Sequence, residues 1–152
     1  MEIAPPPVLS STRVMAYAIV PDDIPFTGRT SIFIDGVLLG RVPRLAICIS
    51  LRDDSDALLL YCDEDWNELG VTGQGSVEYL KSYAEKNYPG LSDHWVDINT
   101  SVEDAHRYYD EAFAPARCTF CGRRMYEVET MLQGETTWEC NFCVDAHSSS
   151  HR

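Results

Sequence analysis

The sequence of 152 residues contains no apolar run of the roughly 20 residues that a membrane-spanning helix requires. Its first ten residues lack the basic start and apolar stretch of a secretory signal, so we expect an intracellular, cytoplasmic protein. Basic residues are scarce, with 12 lysines and arginines against 24 aspartates and glutamates. Nucleic acid is therefore an unfavourable partner, because binding to phosphates depends on clustered basic side chains.

Motifs that mark common active sites are also missing. The sequence has no Gly-x-Ser-x-Gly motif, no His-x-Glu pair and no lysine-bearing phosphate loop. Three consecutive carboxylates at positions 63–65 favour a solvated turn over a cation or acid–base site, since successive side chains point in alternating directions. We therefore expect a protein without enzymatic activity.

The residues that are present predict a folded domain rich in strands. Hydrophobic residues make up 45% of the chain, which is typical of globular proteins. Strand-forming runs at 13–20, 45–50 and 57–62, with a hairpin signal at Asp35-Gly36, predict about five strands. Because the connections are mostly short, we expect these strands to form an antiparallel meander.

Helical periodicity replaces the strand pattern after Trp66. The glycine-rich segment 70–75 is interpreted as a flexible connection, and residues 76–88 as a helix that ends before Pro89-Gly90. Ser101 is a suitable N-cap for a second helix. Strands followed by helices predict the α+β class, with two helices packed on one face of the antiparallel sheet.

The domain limits are expected to follow these elements. We predict a disordered tail at 1–12, an acidic α+β domain at 13–113, a small module at 117–147 and a second tail at 148–152. A short stiff joint, 114–116, connects the two domains. Residues 1–113 hold 19 acidic and 8 basic side chains, a net charge of −11, so the acidity belongs to the first domain.

Four of the six cysteines have the spacing of a metal site. Cys118 and Cys121 form one Cys-x-x-Cys pair, and Cys140 and Cys143 form a second pair after an interval of eighteen residues. Two such pairs predict one structural Zn²⁺ per chain, held tetrahedrally with no open position at which to activate water. Disulfides are disfavoured because nothing indicates an oxidising compartment, whereas iron remains an alternative metal for four thiolates.

Several positions around these cysteines match a known domain. A glycine follows the second cysteine, Glu127-Val128 precedes an apolar stretch that ends at Gly134, and Trp138 lies two residues before the third cysteine. With the cysteine spacing, residues 117–147 resemble the zinc-binding domain of the bacterial unfoldase ClpX. The resemblance implies a treble-clef-like knuckle–helix module, with a helix that opens at Glu127-Val128 and ends at Gly134.

The same resemblance implies dimerisation and docking of substrates or adaptors, but no unfoldase activity, since the phosphate loop of the ClpX ATPase is missing. Apolar side chains of the module either form the dimer contact or pack against the first domain: Phe120, Tyr126, Met131, Leu132, Trp138 and Phe142. Four thiolates on Zn²⁺ leave a net negative charge, and three arginines near the first pair are expected to offset it: Arg117, Arg123 and Arg124.

The acidic residues suggest a protein partner with a basic surface. The segment around the 57–62 strand supplies the candidate partner-binding residues: Asp53, Asp54, Asp56, Asp63, Glu64, Asp65, Trp66 and Glu68. These residues are called the acidic rim. Trp66 is either an exposed anchor within the acidic rim or a core residue. The carboxylates of the rim either bind a partner or only keep the protein in solution.

Two functions therefore remain open at the level of the sequence. The first is a non-enzymatic adaptor or interaction module, in which the zinc domain dimerises or docks and the acidic domain binds a protein. The second is an immunity-type inhibitor that neutralises a basic toxin. With the run 58–66, Tyr88-Pro89-Gly90 and Trp95, residues 58–97 resemble small bacterial immunity-type domains. Electrostatic attraction would accelerate either association.

Overall fold

The structure, a computed structural model, describes residues 3–51, 56–113 and 117–150. The chain separates into two compact units, Met1–Ala105 and His106–Arg152. The α+β class predicted from the sequence is confirmed. The joint expected at 114–116 lies outside the described residues, so the domain boundary predicted there stays a prediction. Over the described ranges, no helix combines the length and the apolar composition needed to cross a membrane.

The first unit is built mainly from strands. They are β1 (Val8–Leu9), β2 (Thr12–Ile19), β3 (Phe33–Ile34), β4 (Val37–Leu38), β5 (Arg44–Ser50), β6 (Ala57–Cys62), β7 (Glu68–Gly75) and β8 (Trp95–Asp97). An antiparallel sheet has the order β1-β2-β5-β6-β7, with β8 pairing to β2 as well. A separate hairpin joins β3 to β4.

The hairpin at Asp35-Gly36 is confirmed, but it stands apart from the main sheet. Asp35 and Gly36 have φ angles of 51° and 79°, the left-handed pair that a tight hairpin turn requires. The strands that they join are two residues each and form their own two-stranded sheet. The predicted meander is therefore completed instead by β7, which follows β6.

The prediction of a flexible connection at 70–75 is wrong, because these residues lie in β7. Gly70 pairs with Tyr61 of β6. A Cβ atom at Gly70 would lie 2.5 Å from Cδ1 of Ile34, so that side chain would have to shift to accept one. Close packing of the β3–β4 hairpin on the strand therefore favours glycine at this position.

The N-terminal segment also differs from the tail predicted for residues 1–12. Val8 and Leu9 are buried and form β1, which pairs with the start of β2. Ahead of them, the carbonyl oxygen of Ile3 accepts a hydrogen bond of 3.0 Å from Nε1 of Trp66. The segment from Ile3 to Leu9 is thus bonded to the folded unit.

Two helices follow β7, with β8 between them in the chain, and both start where the sequence predicted. Helix α1 (Val77–Asn87) is capped by Ser76, whose Oγ accepts from the backbone N–H of Tyr79, and its buried residues include Leu80 and Ala84. These pack in one core with sheet residues that include Leu45, Ile47 and Leu59. Helix α2 (Val102–Phe113) begins after Ser101, whose Oγ accepts from Asp104 N–H at 3.1 Å.

The opposite face of the sheet carries a second, smaller core. Its buried members are Leu9, Val14, Ala46, Cys48, Leu60, Cys62 and Trp66. Burial raises the pKa of both Cys48 and Cys62 to about 12, which keeps these two thiols protonated at neutral pH. Their interpretation as small buried hydrophobic residues agrees with this placement.

The second unit begins within α2 and contains the remaining elements. A 3-10 turn at Met125–Glu127 precedes a hairpin of β9 (Met131–Gln133) and β10 (Trp138–Cys140), and helix α3 (Asn141–Ser150) follows. The helix implied between Glu127 and Gly134 is therefore replaced by a turn and a strand. Met131 and Leu132, which the resemblance places in that helix, lie in β9, and Met131 pairs with Cys140 of β10.

Candidate metal centre

The first pair of cysteines lies in a tight backbone knuckle. The backbone N–H of Cys118 donates to the carbonyl oxygen of Arg123 at 2.8 Å, and Gly122 N–H donates to the carbonyl oxygen of Cys118 at 2.9 Å. Gly122 has a φ angle of 79°, which a glycine adopts without steric cost. This turn directs the sulfurs of Cys118 and Cys121 toward a common point.

The second pair is supplied by the hairpin and the helix that follows it. Cys140 is the last residue of β10, and Cys143 lies in the first turn of α3. Thr119 connects the knuckle to the hairpin, because its backbone N–H donates to Trp138 O at 2.7 Å and its Oγ1 accepts from Trp138 N–H at 2.9 Å. The module expected from the resemblance has its helix between the two cysteine pairs, whereas here a hairpin lies between them and the helix begins at the second pair.

The four sulfur atoms form a compact group. All lie within 4.8 Å of one another, and both the Cys118–Cys143 and the Cys121–Cys140 sulfur pairs are separated by 3.6 Å. A disulfide requires a sulfur–sulfur distance of about 2.05 Å, so these cysteines are unbonded thiols. A tetrahedron of thiolates at the usual Zn–S length has edges of roughly 3.8 Å, which the observed separations approach.

The local electrostatics favour a thiolate at Cys118 and oppose one at Cys143. Burial disfavours the charged form of Cys118, but backbone N–H donors from Cys140, Cys121 and Phe120 outweigh it and lower the pKa of Cys118 to about 6. Burial, followed by the neighbouring thiols, raises the pKa of Cys143 to about 12. A bound divalent cation would relieve this opposition, because metal binding is coupled to loss of the thiol protons.

This donor set fits a closed metal site. Among the His, Cys, Asp and Glu side chains of the described residues, these four cysteines lie close enough together to hold one metal ion. Four sulfur ligands fill a tetrahedral shell and leave no position for water or substrate. Such an arrangement holds a fold together and does not activate a nucleophile. Zinc and iron both accept four thiolates.

The three arginines near the knuckle have different partners. Arg123 donates through Nη1 to the sulfur of Cys121 at 3.3 Å, as expected of a residue that offsets the charge of the centre. Arg117 and Arg124 instead form ion pairs with Asp110, at 2.9 and 2.5 Å. Of the three arginines expected to balance the charge of the thiolates, Arg123 contacts a sulfur. Arg117 and Arg124 instead connect the knuckle to Asp110.

Helix α2 contributes side chains to this unit, which agrees with the alternative that apolar residues of the module pack against residues of the 13–113 range. Asp110 accepts from Tyr126 Oη at 3.2 Å as well as from the two arginines. His106 and Tyr109 place their rings 4.8 and 5.0 Å from the ring of Tyr126. The aromatic positions of the α2 pattern were visible in the sequence, but no local signal indicated that they contact the cysteine module.

The candidate partner-binding residues of the first unit separate into exposed and structural side chains. Asp56, Glu64, Asp65 and Glu68 are exposed. Asp63 instead holds the turn, because Oδ1 accepts 2.9 Å hydrogen bonds from the backbone N–H groups of both Asp65 and Asn67, and these bonds lower the pKa of the Asp63 carboxyl. Asp53 and Asp54 lie outside the described residues.

Trp66, the aromatic residue within this acidic segment, is buried and only 6% exposed. Its ring packs edge-on against Tyr17, with centroids 5.6 Å apart, and the guanidinium carbon of Arg44 lies 5.2 Å from its centroid. The indole is therefore placed in the core and is not an exposed anchor. This position agrees with the core alternative stated from the sequence.

Comparisons with models of protein families, with curated proteins and with solved structures find no match to this chain. The resemblances to the ClpX zinc-binding domain and to immunity-type domains therefore stay predictions. The features of this chain that bear on function are its cysteine centre and the charge and exposure of its two units.

Proposed function

We propose that this protein is a non-enzymatic zinc-binding module for protein interaction. The observation that carries the proposal is the group of four cysteine sulfurs within 4.8 Å of one another, drawn from a knuckle, a strand end and a helix start. Zn²⁺ is the metal of choice, because it accepts four thiolates tetrahedrally without further cofactor chemistry. Cys118, Cys121, Cys140 and Cys143 supply its complete shell.

The composition of the second unit supports a structural role for the metal. The hydrophobic cluster at the centre has the buried members Cys118, Val128 and Cys140, with Met131 and Cys143 packed against them. Three of these five residues are the proposed metal ligands themselves. A cluster so small buries little apolar surface, so metal binding would supply much of the folding free energy of this unit.

Exposed apolar side chains support the interaction part of the proposal. Among the residues that the sequence assigned to a dimer contact, Tyr126 is buried, whereas Phe120, Leu132 and Phe142 are 54%, 59% and 50% exposed. Side chains of this kind are what a dimer contact would cover, and a contiguous set of them is typical of an interaction surface. A homodimer through the zinc module is the simplest arrangement that would cover them.

We expect protein purified without added metal to contain one equivalent of zinc per chain and to have twice the chain mass of 17.1 kDa. Elemental analysis and light scattering on the same sample measure both quantities, and chelator-treated protein is the control. Less than half an equivalent of zinc per chain contradicts the assignment of zinc to the site. An iron content higher than the zinc content would identify the bound metal as iron. Zinc-loaded protein of single-chain mass contradicts dimerisation alone.

The charge of the first unit favours a basic protein as the other partner. Residues 1–105 hold 17 acidic and 7 basic side chains, a net charge of −10. Exposed carboxylates stand at both ends of β6, with Asp56 before it and Glu64 and Asp65 after it. An immunity-type inhibitor of a basic toxin is the second candidate function, because it requires the same acidic surface.

Reversing Glu64 and Asp65 to lysine is expected to slow association with a basic partner several-fold at low salt, because exposed charges steer the encounter. The difference should vanish as the screening length falls below about 10 Å. The measurement is the association rate with a partner isolated from native lysate. The matched control reverses Asp22 and Asp23, an exposed pair elsewhere in this unit. Equal slowing by both pairs would contradict a local binding rim.

A further inference from the structure

The four cysteines of the proposed centre differ in their protection from solvent. Cys118 and Cys140 are buried, at 2% and 0% exposed, and Cys143 is intermediate. Cys121 is exposed. It stands at the end of the knuckle next to Gly122, a position that contributes no side chain to cover its sulfur. Of the four proposed ligands, Cys121 is therefore the most open to solvent and to reagents.

One side chain covers this exposed sulfur. Arg123 donates from Nη1 to Sγ of Cys121 at 3.3 Å. The guanidinium of Arg123 also lies over the ring of Phe142, with its central carbon 4.5 Å from the ring centroid. Phe142 belongs to α3 and precedes Cys143 directly, so Arg123 connects the sulfur of the knuckle to the helix that carries the fourth cysteine.

The chemistry of arginine suits both contacts at once. Its planar guanidinium can stack on an aromatic face while its edge donates hydrogen bonds, whereas the lysine ammonium is a point charge without such a plane. The guanidinium of an arginine also stays protonated in proteins, so the charge beside the sulfur is permanent. A fixed positive charge beside a thiolate stabilises the ligand in its metal-binding form.

We propose that Arg123 is a positioning residue that retains Cys121 on the metal and shields its sulfur from electrophiles. This inference rests on the proposed zinc site. It extends that proposal by naming Cys121 as the ligand that reagents reach first. Arg117 and Arg124 do not share this role, because their guanidinium groups are engaged by Asp110. Phe142 supports Arg123 by providing the surface on which it stacks.

The test compares zinc affinity with the reactivity of each cysteine in the zinc-loaded full chain. Arg123→Gln is expected to weaken zinc binding about tenfold in competition with a chelator, as loss of a group that supports a ligand commonly does. Alkylation of Cys121 by iodoacetamide, located by mass spectrometry, should accelerate by a similar factor. The rates at Cys118, Cys140 and Cys143 should stay unchanged.

Three further variants give the experiment its controls. Arg123→Lys keeps the charge without the planar stack and is expected to fall between the wild-type protein and Arg123→Gln. Phe142→Leu removes the aromatic face while keeping apolar volume and should accelerate alkylation of Cys121 in the same direction. Arg29→Gln, at an exposed arginine in the first unit, changes the net charge equally and should leave Cys121 unaffected.

Two results would overturn the inference while leaving the proposed function intact. Equal Cys121 rates in Arg123→Gln and Arg29→Gln would show that Arg123 does not shield the sulfur. A parallel rise at all four cysteines would show that Arg123 supports the fold of the unit in general. Wild-type protein without bound metal is a distinct result, since it would overturn the zinc proposal and the role of Arg123 with it.

Discussion

Replacing Cys140 with serine is expected to unfold the second unit, residues 106–150, while the first unit stays folded. Cys140 is fully buried, and its sulfur lies 3.6 Å from that of Cys121. A serine hydroxyl is a poor replacement for a thiolate on zinc, so the shell would lose one of its four ligands. Since structural zinc contributes on the order of 10 kcal/mol to comparable small modules, this loss exceeds what the remaining contacts can offset.

Hydrogen exchange followed by mass spectrometry measures this result segment by segment. Loss of protection in the variant should be confined to the second unit, and chelator treatment of the wild-type protein should reproduce it. Cys62→Ser is the matched control, because Cys62 is an equally buried cysteine in the core of the first unit. That variant should destabilise the first unit and leave zinc content unchanged. Equal loss of protection in both units of Cys140→Ser would indicate a single cooperative fold.

Peptides from residues 106–113 distinguish two possible limits of the zinc-dependent unit. The sequence predicts a domain boundary at 114–116, which would leave all of α2 protected in Cys140→Ser. The contacts of Tyr109 and Asp110 with Tyr126 and Arg124 instead predict that this part of α2 loses protection together with the cysteine module. The outcome decides whether the unit that depends on zinc begins at His106 or at Arg117.

The parts of the structure that were predictable from sequence are those in which local chemistry decides. The cysteine pairs, the Asp35-Gly36 turn and the helix start at Ser101 each depend on a few adjacent residues. In each case, a backbone turn or a cap forms the same way in many folds. The grouping of the four sulfurs could be predicted for the same reason, since each pair brings its own turn.

The parts that could not be predicted depend on distant residues. The glycines of 70–75 resemble a flexible loop until Ile34 is known to pack against Gly70. The helix expected over residues 127–134 comes from the resemblance to the ClpX zinc-binding domain and not from a contact within this chain. In the fold, Asn141 Oδ1 accepts from the backbone N–H groups of Glu129 and Thr130, which holds the approach to β9 in a non-helical path. Tertiary contacts decide the path of the backbone at both places.

Trp66→Ala is expected to lower the free energy of unfolding of the first unit by about 3–5 kcal/mol, the usual loss when a large buried aromatic residue is truncated. Trp66 has a φ angle of 64°, which is uncommon for a bulky residue and is kept only where the surroundings hold it. Those surroundings are the ring of Tyr17, the guanidinium of Arg44 and the carbonyl oxygen of Ile3. Truncation removes all three contacts and leaves a cavity.

Trp66→Phe separates the packing of the ring from its hydrogen bond. Phenylalanine retains most of the contact with Tyr17 but cannot donate to the Ile3 carbonyl oxygen, so we expect a loss of about 1 kcal/mol for the hydrogen bond plus a smaller packing loss. Chemical denaturation followed by circular dichroism measures both variants. The N-terminal residues should lose hydrogen-exchange protection first in Trp66→Phe, because the indole bond is one of their attachments.

The neighbouring carboxylates provide the control that distinguishes a core tryptophan from an interface anchor. Glu64 and Asp65 are exposed, so their reversal to lysine should change the free energy of unfolding by less than about 0.5 kcal/mol. Asp63 is excluded from this control because it accepts the hydrogen bonds that form the turn. If Trp66→Ala left stability unchanged and instead weakened partner binding, the indole would be exposed in solution and would act as the anchor of the acidic rim. Loss of stability in Trp66→Ala alone, with the reversed carboxylates slowing association, would place the tryptophan in the core and assign the steering of the partner to the charged residues around it.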